Sequence, residues 1–174
     1  MKKIFLISST ILFSFCGTKK NIMSQEKNIE ITTESICPID GACNTEILKN
    51  KSLVIKTDEF GSIYTETIDN ETTSVIIYQY NRTINGDLQD AGYREELIFE
   101  IKNYNTELTL SNEMLQQTKM LFGRFCYCRG QTGYYKVEEG ILKLKKSSDD
   151  ITFNLDFTIN KVPQIIKNIK CSIK

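Results

Sequence analysis

Histidine and tryptophan are absent from this 174-residue chain, and proline occurs only twice. Without histidine there is no Ser-His-Asp or Cys-His nucleophile pair, no ordinary general base near neutral pH, and no route to most catalytic zinc sites. A charge surplus is missing too, since 22 basic residues balance 22 acidic ones. Nucleic acid, which is held by neutralising its phosphates, is therefore not an expected partner. No apolar run approaches the roughly 20 residues that a membrane-crossing helix needs.

The one apolar run worth reading covers residues 4–15, diluted by Ser8, Ser9, Thr10 and Ser14. Lys2 and Lys3 precede it and Cys16-Gly17 ends it, so residues 1–16 read as a signal peptide. Leu12-Phe13-Ser14-Phe15-Cys16 resembles the lipobox of bacterial lipoproteins, in which the cysteine becomes the acylated N-terminus. The resemblance implies a lipid-modified Cys16 and a membrane as its partner. At about 0.8 kcal/mol per buried methylene, several acyl chains make such an anchor effectively permanent.

Behind the leader, residues 17–35 are polar, with Lys19, Lys20, Ser24, Gln25 and Glu26 and little to bury, which predicts a flexible tether. Residues 29–33 are the ambiguous part, because Ile29-Glu30-Ile31-Thr32-Thr33 also fits a short strand. Residues 36–174 are the right size for a single domain with a real core.

From residue 48 onward the dominant period is two, clearest at 151–159, where odd positions are apolar and even positions polar. That alternation is a half-buried strand with one wet face. Comparable runs lie at 52–57, 62–68, 74–82, 95–102, 107–110, 141–146 and 165–173. Turn chemistry separates them at 58–61, at Asp69-Asn70, at 147–150 and in a longer loop with Asn85-Gly86 and Ala91-Gly92. The fold class expected is all-β, an antiparallel two-sheet sandwich or flattened barrel of about eight to ten strands. Residues 111–119 offer at most one short helix, capped by Ser111 or Asn112, or else another strand.

Five thiols follow Cys16: Cys37, Cys43, Cys126, Cys128 and Cys171. In an exported domain these are disulfide candidates. Cys37 and Cys43 flank a turn-rich loop and are expected to bridge. Cys126 and Cys128, two apart in an expected strand, share a face and are poorly placed to bridge each other, so one of them is expected to reach Cys171. A four-thiolate metal site from Cys37, Cys43, Cys126 and Cys128 is the sharper alternative, but the single residue between Cys126 and Cys128 does not suit it. No metal and no cofactor is expected.

The densest unusual stretch is 122–135, with two arginines, three glycines and five aromatics. As a ligand surface it would use Arg124 and Arg129 as forked donors to a carboxylate or sulfate, with Gln131 and Tyr134 beside them. As plain structure it is a tight turn at 129–133 joining two strands. Carboxylate pairs occur at Asp58/Glu59, Glu95/Glu96, Glu138/Glu139 and Asp149/Asp150, but strand neighbours point to opposite faces and none is a glycosidase pair by itself. Asp87-Leu88-Gln89-Asp90 lacks the oxygen-ligand spacing of a calcium loop.

The leader through Cys16, the Cys-Pro-x-Asp-Gly-x-Cys segment at 37–43 and the stretch 122–135 together resemble small, uncharacterised lipoproteins of the Flavobacteria and other Bacteroidetes. That resemblance implies a bacterial cell-envelope protein, lipid-anchored in the outer membrane. Lys19-Lys20 in place of an acidic cluster implies a domain facing the periplasm. The expected role is a non-catalytic structural or interaction module for an envelope protein or glycan. The alternatives are a small-ligand or glycan-binding β-barrel, its pocket lined by Tyr78, Tyr80, Phe99, Phe153 and Phe157, and a carboxylate-based hydrolase.

Overall fold

The computed structural model describes residues 31–33, 37–84, 86, 91–148 and 150–173. Residues 1–30, with the leader and Cys16, lie outside them, as do Asp87, Leu88, Gln89, Asp90 and Asp149. Among the described residues ten strands form two antiparallel sheets. In chain order they are β1 (Ile31–Thr33), β2 (Gly41–Thr57), β3 (Ile63–Arg82), β4 (Tyr93–Lys102), β5 (Glu107–Ser111), β6 (Leu121–Cys126), β7 (Gly133–Lys136), β8 (Glu139–Lys146), β9 (Ile151–Thr158) and β10 (Asn168–Ile173). One sheet has the order β1-β10-β9-β8-β5 and the other β2-β3-β4-β6-β7.

The sheets do not close into a barrel; they stack as a sandwich. Along β9 the alternation holds residue by residue, with Ile151, Phe153, Leu155 and Phe157 buried and the residues between them exposed. Facing positions interdigitate across the gap: Phe99 meets Phe153 edge-on at 5.4 Å and Phe122 meets Phe157 at 5.9 Å between ring centroids. Tyr78, Tyr80, Phe99, Phe153 and Phe157 are therefore core residues, each at most 3% exposed. This corrects the pocket expected of a β-barrel binder, because those rings fill the space such a pocket would need.

Three further segments take a definite form, the short helix among them as expected. Ile31–Thr33 takes the strand alternative offered for 29–33: it pairs with β10, Ile31 opposite Ile173 and Thr33 opposite Cys171. The sheet thus begins earlier than residue 36. Asp69-Asn70 does not reverse the chain. Asn70 turns it locally by accepting from Thr72 N at 3.0 Å and Thr72 Oγ1 at 2.8 Å, and the β2–β3 register slips there while both strands continue. Beyond this kink, the hairpin arm at 51–69 lies on the outer face of its own sheet, packing Leu53 with Val75, Ile98 and Leu121. Finally, residues 112–118 form a 3-10 helix without a side-chain cap from Ser111. It ends at Lys119 in the left-handed region, φ 55°.

Candidate functional site

One end of the sandwich gathers most of the chemistry-bearing residues. The register places Gly41 opposite Arg82, Asn81 opposite Arg94, Tyr93 opposite Cys126 and Arg124 opposite Gly133, so the ends of β2, β3, β4, β6 and β7 finish side by side. Each of the two disulfides, Cys37–Cys43 and Cys126–Cys128, closes a loop at this end. In the first loop the Asp40 carboxylate accepts from Tyr80 Oη at 2.8 Å and Arg82 Nε at 3.1 Å. Those donors, Tyr80 foremost, hold the Asp40 carboxyl below the usual carboxylate range. Gly41 is required there, because a Cβ would collide with the Tyr80 ring and the Asn81 carbonyl.

Aromatic rings hold the arginines in place. The Arg82 guanidinium lies 4.6 Å from the centroid of Tyr93, and Arg124 lies 5.3 Å from the same ring. Arg94 stacks on Phe125 at 4.4 Å, with its Nε buried and lacking a hydrogen-bond partner. Between these elements is an open groove of about 680 Å³, whose walls include Arg82, Tyr93, Arg94, Phe125, Cys126 and Tyr127. Apolar side chains project around it, Ile39 and Tyr127 almost wholly exposed.

Of the four residues singled out from sequence, Arg124 and Gln131 meet, while Arg129 and Tyr134 do not join them. Arg124 is buried at 6% exposure and spends its donors on Gln131 O and Gln131 Oε1, both at 3.1 Å, and on Tyr93 Oη at 3.3 Å. Tyr134 pairs with Gly123, on the opposite face of the sheet from Arg124, and its hydroxyl donates to Glu96 Oε1 at 2.5 Å. Burial first, and that hydrogen bond second, push the Tyr134 phenol up to about 12. Arg129 is exposed in a turn closed by Gln131 N to Cys128 O at 3.1 Å, with Gly130 at φ 72°. The stretch is the tight turn of the plainer reading. Arg82 and Arg94 were not anticipated: each ends an otherwise ordinary strand, and only the cross-strand register brings them to one groove.

Cys37 and Cys43 bridge as expected, but the later thiols pair differently from expectation. Cys126 and Cys128 bridge each other because β6 stops at Cys126 and the turn brings their Cα atoms to 5.2 Å. A disulfide to Cys171 is ruled out by place: Cys171 sits on β10 and donates to Thr45 Oγ1 at 3.5 Å on β2. β6 is three strands from β2, about 14 Å at ordinary strand spacing and well beyond disulfide reach. The same pairings consume the four sulfurs of the alternative metal site, and among the described residues no group of three or more Cys, Asp or Glu is arranged to hold a metal ion.

Glu95 and Glu96 point to opposite faces, as neighbours in a strand must. Glu95, 1% exposed, accepts from Ile165 N and Ile166 N at 2.7 Å each and from Tyr93 Oη at 2.5 Å. Glu96 accepts from Gln79 Nε2 at 2.7 Å and from Tyr134. Both carboxylates are fully engaged in holding elements together. No known protein family, characterised protein or solved structure matches the chain.

Proposed function

We propose that the chain is a cell-envelope lipoprotein anchored through Cys16, and that its β domain is an interaction module recognising an envelope partner at the groove end. The observation that carries this reading is the placement of the two ends. The chain joins the sheet at Ile31, opposite Ile173 and, through β9, beside Ile151 and Lys146. Lys146 donates to Asn103 O at 2.9 Å, so this is the end where β4 finishes, with Tyr104 exposed. The groove with Arg82, Arg94 and Tyr127 is at the other end, where β4 begins. A chain tethered at one end thus presents its exposed Ile39 and Tyr127 and its ring-stacked arginines at the far one. The filled core and the engaged carboxylates favour surface recognition over an enclosed ligand or a hydrolytic centre.

The anchoring half is tested by metabolic palmitate labelling of the full chain in a bacterial host. Labelling that vanishes in Cys16→Ala supports it, and a wild-type chain that never takes label contradicts it. The recognition half is tested by photo-crosslinking from the two ends, Tyr127 against Tyr104.

A further inference from the structure

The two disulfides at the groove end differ in what they do for the fold, and that difference has a chemical consequence. Cross-linking a chain stabilises it by shortening the loops open to the unfolded state, an effect that grows with loop length. Cys126–Cys128 spans a single residue, Tyr127, so it closes one of the shortest loops a bridge can constrain. The segment it sits in is pinned without it. Gly123 pairs with Tyr134 and Arg124 with Gly133, Gln131 N bonds Cys128 O, and Arg124 grips Gln131 twice. By linkage, a bond that adds little to the stability of the fold gains little protection from it. Such a bond exchanges at the potential of an ordinary dithiol, whereas structural disulfides lie well below the glutathione pool.

It is also reachable. Cys126 forms part of the groove wall, Tyr127 is 84% exposed, and Arg129, next to Cys128, is an exposed cation able to stabilise a departing thiolate. Cys37–Cys43 has a different setting: its seven-residue loop positions Asp40 for Tyr80 and Arg82 and so is tied into the core.

We propose that Cys126–Cys128 is an exchange-active disulfide that oxidises a dithiol presented in the groove. A thiolate of the dithiol attacks Cys126 Sγ, the Cys126–Cys128 bond breaks, and Cys128 leaves as thiolate and takes up a proton. The second thiol of the dithiol, deprotonated in turn, attacks its own sulfur in the mixed disulfide and releases Cys126 as a thiol. The dithiol has lost two electrons and two protons to become a disulfide, and Cys126 and Cys128 have gained them.

The test equilibrates the purified, folded full-length chain with graded ratios of reduced to oxidised dithiothreitol. Free thiols are then alkylated and each bridge is read by peptide mass mapping. The expected result is half-opening of Cys126–Cys128 at a ratio at least tenfold lower than Cys37–Cys43 requires, a gap of about 30 mV or more. Circular dichroism of the chain should not change as it opens. A Cys128→Ser variant should take up glutathione from its disulfide at Cys126 faster than Cys126→Ser does at Cys128. The Cys126→Ser/Cys128→Ser double variant, melting like the wild type, shows that the bridge is dispensable for folding. Opening of both bridges together, opening only with loss of the fold, or a double variant that does not fold would overturn the proposal.

Discussion

Glu95 is a charged residue that sequence position alone marks as ordinary, half of a Glu-Glu pair in a strand. Its burial is explained by three donors that converge on it, two of them backbone N–H groups of Ile165 and Ile166 in the loop between β9 and β10. Replacing one carboxylate oxygen by an amide puts a donor against a donor, so Glu95→Gln should destabilise the domain by about 1–3 kcal/mol. Urea unfolding followed by circular dichroism reads this directly, and an unchanged midpoint would show that the loop does not depend on the carboxylate. Tyr134 gives a second prediction at this scale. Burial, and then the hydrogen bond to Glu96, push its phenol up to about 12 in the folded chain, against 10.0 for a tyrosine in water. A raised folded value means that its contribution is intact below pH 10 and is lost as pH rises toward 12, where the unfolded chain is already deprotonated. Ultraviolet titration should show a late phenolate step that is missing in Tyr134→Phe.

The hairpin arm is the element that the sequence described least well. Its alternation was legible at 52–57 and 62–68, and so was the turn at 58–61, where Asp58 Oδ1 accepts from Phe60 N and Ser62 N. Where the arm lies was not legible, because period two says which faces alternate and nothing about which surface the apolar face will cover. The Asp69-Asn70 signal was real turn chemistry in a place where the strands kink and do not reverse. What fastens the arm is Glu100, which accepts from Ser52 Oγ and Leu53 N at 2.7 Å each and from Lys119 Nζ at 2.8 Å. Burial opposes ionisation of this carboxyl, but hydrogen bonds from Lys119, Ser52 and Leu53 outweigh it and hold the group below its usual range. A lowered folded value gives stability that is present above the unfolded value and lost as pH falls through the folded one. The arm's amides should therefore lose protection, relative to their intrinsic exchange rates, in acid, and Glu100→Ala should reproduce that loss near neutral pH at a cost of about 1–3 kcal/mol. Leu53→Ala, which empties the contact with Val75, Ile98 and Leu121, should cost about 2–5 kcal/mol. Exchange mapped by mass spectrometry that leaves residues 51–69 as protected as in the wild type would contradict this clamp.

At the scale of the molecule, the fold class was readable because β9 and its neighbours alternate so regularly, and a half-buried strand is the physical meaning of that pattern. The Cys37–Cys43 bridge was readable for the same local reason, a turn-rich loop with a thiol at each end. The rest of the groove end was not, since it is made by register between strands distant in sequence: Arg82 and Arg94 arrive on β3 and β4, and Tyr127 on the turn after β6. Arg124 and Tyr134 were separated by the same period of two that made the strands visible. The architecture leaves a filled core and two unlike ends, one where Ile31 joins the sheet and one where the groove opens. Recognition at the groove end is the central claim, and the most direct measurement compares one exposed tyrosine at each end, Tyr127 at 84% and Tyr104 at 70%. A photo-crosslinking amino acid replaces each in turn in the full chain, expressed in a bacterial host whose intact envelopes are then irradiated. The account predicts a discrete adduct of defined mass from position 127, weakened when Arg82→Ala and Arg94→Ala are added, and none from position 104. Equal adducts from both ends, or none from position 127, would contradict it.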